Sequence, residues 1–138
     1  MAKEYKAPKT INKIMMLVNR AGIGPSETLT TRGRRSGEVR KVPVTPIVVD
    51  GAEYIVSPYG EVGWVHNARA EPEASLSKGS AERSVRLVEV SDDSAAVVKA
   101  YWDVTPVPRP YMDVPGEASL EDFTSVAGRF PVFRVDER

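Results

Sequence analysis

The chain has no cysteine among its 138 residues, which removes disulfides, thiolate-held metals and a cysteine nucleophile and fits a reducing compartment. Histidine is almost missing too, with His66 alone. One histidine with no cysteine and no neighbouring carboxylate pair argues against a metal centre and against Ser-His-Asp hydrolysis, so no metal ligands are assigned. Net charge is also lacking, because 19 basic and 19 acidic side chains cancel. A general nucleic-acid binder leaves a broadly basic surface, so a neutral chain points away from nucleic acid and toward small anions. The longest apolar run is Ile14 to Val18. That is far too short for a membrane span or a signal-peptide core, and Met1 to Lys6 is polar, so a cytoplasmic protein with no integral membrane segment is expected.

What is present is a local imbalance. Between Arg32 and Lys41 the neutral chain packs five cations, Arg32, Arg34, Arg35, Arg40 and Lys41, against the single carboxylate of Glu38. Gly33 and Gly37 permit a turn with positive φ. Amide N–H groups and the Ser36 hydroxyl then converge on an anion while Arg35 and Arg40 supply forked, permanent charges. A phosphate is the natural guest. A solvated, Arg-rich hairpin accounts for the charge equally well, so the surrounding pattern must decide.

At this length one domain over residues 1–138 is expected, burying roughly two-thirds of its unfolded surface. Ile11, Ile14, Met15 and Val18 recur at helical spacing and Gly22 with Gly24-Pro25 ends the pattern, predicting a helix over 9–21 that rests on the core. Glu27 to Thr31 reads as a strand, followed by the Arg32 to Gly37 turn. Val39 to Val49 then reads as one long strand, in which Pro43 and Pro46 mark an edge, a bulge or a place where a ligand lies alongside. Asp50-Gly51 is a hairpin signal leading into strand Glu53 to Ser57. After the Pro58 to Glu61 loop, a helix from Val62 to Ala70 puts Trp64 and Asn67 on one face and ends before Pro72. His66 points elsewhere and reads as a partly exposed structural residue. Strands at Ala74 to Lys78 and Arg83 to Val90 follow, then a helix capped by Ser91-Asp92-Asp93 and running through Trp102. Thr105 to Pro110 reads as a stiff irregular loop, Ser119 opens a helix ending near Gly128, and Pro131 to Val135 closes as a strand. The expectation is an α+β, mainly β fold: six to seven mostly antiparallel strands forming a small barrel with flanking helices.

The order Leu-Thr-Thr-x-Gly-Arg-Arg-Ser-Gly-x-x-Arg-x-x-Pro (Leu29 to Pro43), the Asp50-Gly51 hairpin, the strand ending in Ser57, and Trp64 with Asn67 on a helix together resemble the deazaflavin-dependent nitroreductase family. The resemblance covers roughly residues 27 to 90. It implies a split β-barrel of the FMN-binding type and the use of coenzyme F420, an 8-hydroxy-5-deazaflavin with a phosphodiester and glutamate tail. It further implies that Arg35, Ser36 and Arg40 hold the tail, that Pro43 lies beside the ring, and that Trp64 and Asn67 complete the pocket. Where many relatives carry Lys in the turn, this chain has Arg35, and its loop after Ser57 is short and lacks a cation, leaving the backbone around Tyr59 and Gly60 to meet the ring carbonyls.

The resemblance also implies that Tyr101, Trp102, Tyr111 and Phe123 sit where relatives build the acceptor side; Trp102 and Phe123 lie within helices and read as core. Tyr111 follows the Pro-rich segment and carries a hydroxyl that prefers a partner, so it is the candidate substrate contact, with Tyr59 and Tyr101 as further candidates. The resulting expectation is hydride transfer from reduced coenzyme F420 to an electron-poor small molecule: a quinone, an enone or a nitroaromatic. No side chain is assigned as acid or base, because the cofactor carries the chemistry. The alternatives are the same fold with FMN, or a non-catalytic module that binds the coenzyme or an apolar ligand. Monomer and homodimer remain equal.

Overall fold

The structure, a computed structural model, describes residues 9–22, 24–33, 37–90, 94–106 and 108–137. It opens with α1 (Lys9–Arg20) and continues through β1 (Glu27–Arg32), β2 (Val39–Val44), β3 (Ile47–Val49) and β4 (Ala52–Val56). Helix α2 (Gly63–Ala70) precedes the hairpin of β5 (Glu73–Lys78) and β6 (Ala81–Val90). Then come α3 (Ser94–Val104), the single turn α4 (Arg109–Met112), α5 (Leu120–Val126) with a 3-10 turn at Ala127–Arg129, and β7 (Val132–Glu137).

All seven strands join one antiparallel sheet in the order β2-β1-β5-β6-β7-β4-β3. β2 and β3 lie at opposite ends of that order, yet only Thr45 and Pro46 separate them in sequence. Three Cα steps reach about 11 Å, whereas seven strands laid flat span about 29 Å between edge axes, so the sheet must curl until its edges come together. The curled sheet with its flanking helices is the split half-barrel expected from the sequence. The long strand expected from Val39 to Val49 is corrected, because it breaks at Thr45-Pro46 into two strands that serve opposite edges. Pro46 has no amide hydrogen and restricts the residue before it. Pro43 stays inside β2, where its missing donor does no harm: β2 pairs on one side only, with Thr28 opposite Pro43.

The sheet separates two apolar cores, and the alternation along its strands assigns them. Ile55 and Phe133 face one core, with Leu29, Leu76, Val85, Trp64 and Val65, while their neighbours Val56 and Val132 face the other, with Val98, Met112 and Phe123. The first core is closed by α2 and the second by α3 and α5. Trp102 meets Phe123 edge-on at 5.6 Å between ring centres, in keeping with the core role expected of both. The Asp50-Gly51 turn carries positive φ at both residues, 51° and 80°, which brings Val49 opposite Ala52 as the sequence predicts. At the other end Ser119 caps α5 in a reciprocal capping box with Asp122.

Two expectations change in detail and one is untested. Ile14 does not face the core: it is exposed, and Met15, Met16 and Val18 form the half-buried side of α1. The Thr105 to Pro110 segment is not wholly irregular, since Pro110 enters the first turn of α4 and Tyr111 lies within that turn. The capping residues expected for α3, Ser91 to Asp93, lie outside the described residues.

Candidate active site

The β1–β2 hairpin brings Thr31 opposite Arg40 and Arg32 opposite Val39. Its turn is closed by the Gly33 amide donating to the Glu38 carbonyl at 2.6 Å and the Gly37 amide donating to the Gly33 carbonyl at 3.0 Å. Gly37 has φ of 73°, with open space where a Cβ would sit. Arg35 and Ser36, expected to hold the anionic tail, lie outside the described residues, as does Arg34. Arg40 is described, and its side chain is 66% exposed, 3.9 Å from Glu38. An exposed pair at that distance is weak, so the guanidinium stays open to a stronger anion. Arg32 and Lys41 are also exposed, but the strand alternation turns them to the face opposite Arg40. An exposed guanidinium beside a glycine turn suits an anionic group, and half-buried Pro43 follows on the same edge strand.

A second element is the tight turn after β4. The Ser57 amide donates to the Pro131 carbonyl at 2.8 Å, the Ser57 hydroxyl donates to the Gly60 carbonyl at 2.6 Å, and the Gly60 amide returns to the Ser57 carbonyl at 3.3 Å. Gly60 has φ of 84°, which a residue with a Cβ would adopt only under strain. Ser57 is fully buried and its proton is committed to the turn, so its work is to shape the backbone that presents Tyr59 and Gly60.

Tyr59 in that turn is half-buried and meets Tyr111 edge-on, with ring centres 5.7 Å apart and planes at 64°. Burial raises the Tyr59 pKa above its usual value, and Tyr111 adds to the effect. Tyr101, buried on α3, is pushed up further, first by desolvation and then by Tyr59, with a hydrogen bond from Thr105 acting the other way. Of the three tyrosines expected on the acceptor side, Tyr59 and Tyr111 are thus in contact and Tyr101 lies in the core behind them, and the hydroxyls of Tyr59 and Tyr101 stay protonated at ordinary pH.

Sequence reasoning missed what holds Tyr111 in place. Arg109 donates to the Trp102 carbonyl at 3.0 and 2.7 Å and lies over the Trp102 ring at 5.2 Å, fixing α4 to the end of α3. Arg129 donates to the carbonyls of Met112 and Asp113, both at 2.9 Å, fixing the other end. The cation at Arg109 within a proline-rich run was the available signal, since an arginine there can satisfy carbonyls that the prolines cannot serve.

Trp64 and Asn67 share one face of α2, and that face points into the barrel. Trp64 is 7% exposed and packs on Phe133 at 5.4 Å, while Asn67 is 4% exposed and its Nδ2 donates to Thr31 Oγ1 at 3.3 Å. Asn67 thus ties α2 to the strand position that faces Arg40. A separate cleft of about 440 Å³ lies between Glu61, Arg69, Glu89, Ser94, Phe130 and Val132, and none of the expected site residues lines it.

The geometry is a curled split barrel with an exposed arginine on its edge strand and a pair of tyrosines beside a glycine turn. The sequence model for F420H(2)-dependent quinone reductase matches residues 9–111. The chain belongs to that family, a family of oxidoreductases that depend on reduced coenzyme F420. Among curated proteins none matches it. Among solved structures, an F420-H2 dependent reductase, FDR-A, is 24% identical, with 81% of this chain and 94% of that one covered at a TM-score of 0.57. A chain described as a domain-swapped dimer is 21% identical, covering 93% and 95% at a TM-score of 0.53. A FAD-binding protein from Mesorhizobium loti is 17% identical, covering 91% and 88% at 0.53. At these identities the structures speak for the fold. Among the described residues no helix is long and apolar enough to cross a membrane.

Proposed function

We propose that this cytoplasmic protein passes a hydride from reduced coenzyme F420 to a small acceptor bearing carbonyl or nitro oxygens, with quinones foremost. Arg35, Ser36 and Arg40 hold the anionic tail, Pro43 and the backbone at Tyr59 and Gly60 border the ring, and Trp64 and Asn67 support that wall from within the barrel. When bound, the reduced deazaflavin supplies the hydride, because carbon at the flavin N5 position favours two-electron over one-electron transfer. The chain's own residues bind, orient and keep the acceptor face dry.

The observation that supports this reading is the edge-on contact of Tyr59 and Tyr111 beside the Ser57–Gly60 turn. Neutral phenols are hydrogen-bond donors to an acceptor oxygen that gains charge as hydride arrives. Tyr111 and Tyr59 orient the acceptor through their hydroxyls, and Tyr101 backs them from the core. The test is oxidation of the reduced coenzyme, followed by its absorbance, against a panel of quinones, enones and nitroaromatics. Enzyme-dependent turnover fastest with quinones is expected. Tight coenzyme binding with no turnover of any acceptor would instead favour a non-catalytic binding module.

A further inference from the structure

The turn that presents Tyr59 leads through Glu61 into α2, and one arginine reaches back to it. Arg69, in the last turn of α2, donates to both oxygens of Glu61 at 2.7 and 3.2 Å and to both oxygens of Glu89 on β6 at 2.7 and 2.9 Å. A guanidinium forked between two carboxylates holds its geometry better than a single exposed ion pair. Among the described residues Arg69 is the only ion-pair partner of Glu61. Glu89 belongs to the longest strand, whose 10 residues pair with β5 on one side and β7 on the other. The fork therefore ties the turn to the best-anchored part of the sheet.

The turn has need of that tie. Its first part is seated, because the Ser57 amide bonds to the Pro131 carbonyl and a Cβ on Gly60 would lie 3.5 Å from the Arg129 carbonyl oxygen. Glu61, which follows, lines the cleft of about 440 Å³, where open space takes the place of packed neighbours. We propose that Arg69 is a positioning residue: through Glu61 it holds the Ser57–Gly60 turn, and with it Tyr59, where the acceptor is met. The inference rests on the acceptor role proposed above for Tyr59. Arg69 lines the separate cleft and acts only through the short backbone between Glu61 and Tyr59. A phenol that donates to an acceptor oxygen must be held within a fraction of an ångström, so a loosened turn loses rate while the fold persists.

The test compares Arg69→Met with the parent by hydrogen exchange and by kinetics. Exchange followed by mass spectrometry should be faster over residues 57–62 and unchanged in the β1–β2 hairpin. With a quinone as acceptor, kcat/KM should fall about three- to tenfold, since small misplacements of a reacting group are costly. Glu61→Ala frees the turn from its own end, leaves Arg69 on Glu89, and should match that result. Arg69→Lys keeps the charge without the fork and should fall between Arg69→Met and the parent. Arg86→Met removes the ion pair of Arg86 with Glu73 from the β5–β6 hairpin and should leave kcat/KM as in the parent. Unchanged exchange over residues 57–62 in Arg69→Met and Glu61→Ala, or a loss of kcat/KM no larger than that of Arg86→Met, overturns the proposal. A parent that turns over no acceptor brings down the reading of the site instead, and the exchange alone then decides whether Arg69 holds the turn.

Discussion

Tyr111→Phe separates the acceptor side of the site from the coenzyme side. The substitution keeps the ring, and with it the edge-on contact to Tyr59 at 5.7 Å, so stability should change little. It removes one hydroxyl. If that hydroxyl donates to the acceptor oxygen, its loss costs on the order of 0.5–1.5 kcal/mol, or about 2- to 13-fold in kcat/KM. The loss should fall on quinones and nitroaromatics alike, while the coenzyme dissociation constant stays as in the parent. Tyr111→Ala provides the scale: it also forfeits the ring contact, worth a further 0.5–1.5 kcal/mol or so of stability. Steady-state kinetics on two acceptors and a fluorescence titration of the coenzyme read both quantities. The reasoning is refuted if Tyr111→Phe weakens the coenzyme and leaves acceptor selectivity untouched, for then Tyr111 belongs to the coenzyme wall. It fails equally if only the melting temperature moves.

Three further outcomes follow from the fold. Arg83 grips Glu53 at 2.6 and 2.7 Å and reaches Glu27 at 3.5 Å, joining β6 to β4 and β1 with side chains two-thirds or more buried. Arg83→Ala should cost about 2 kcal/mol, lowering Tm by roughly 6–10 °C, and an unchanged melting curve would deny the clamp. Because burial raises the Tyr101 pKa, the stability linked to its proton is present below the unfolded tyrosine pKa of about 10 and is lost as pH rises beyond it. Tyr101→Phe should flatten the alkaline fall in urea-unfolding free energy, and an identical slope would contradict the assignment. Gly116 has φ of 65°, and a Cβ there would lie 2.7 Å from Asp122 Oδ2, which is engaged in the α5 cap. Gly116→Ala should therefore destabilise by about 1–2 kcal/mol in a thermal melt, and no loss would show that the cap shifts freely.

The strands were readable where local chemistry decides them. Asp50-Gly51 makes its turn from two positive φ angles, and Val85 and Leu87 alternate because one face of β6 is buried. The break at Thr45-Pro46 was not readable, since a two-residue link between opposite sheet edges is a property of the closed sheet and leaves no mark on neighbouring residues beyond the proline. Ile14 was misplaced for a related reason. Ile14, Met15, Met16, Leu17 and Val18 are apolar all round the helix, so periodicity does not tell the inner side from the outer. In the candidate site, local charge singled out the cationic hairpin, and the family resemblance pointed to the three tyrosines. That Tyr59 and Tyr111 meet depends on Arg109 and Arg129 fastening α4 through backbone carbonyls, contacts across 7 and 17 residues that no local pattern encodes.

The central claim is that the barrel's cationic edge holds coenzyme F420. Titrating the purified protein with oxidised coenzyme F420, followed by its fluorescence, tests it directly. Saturable binding is expected, weaker at high salt and weakened by Arg40→Ala by about 1.5–3 kcal/mol, the range for hydrogen bonds to charged groups. A protein that fails to bind the deazaflavin, that binds FMN in preference, or that binds coenzyme F420 equally well with Ala at position 40 would contradict it.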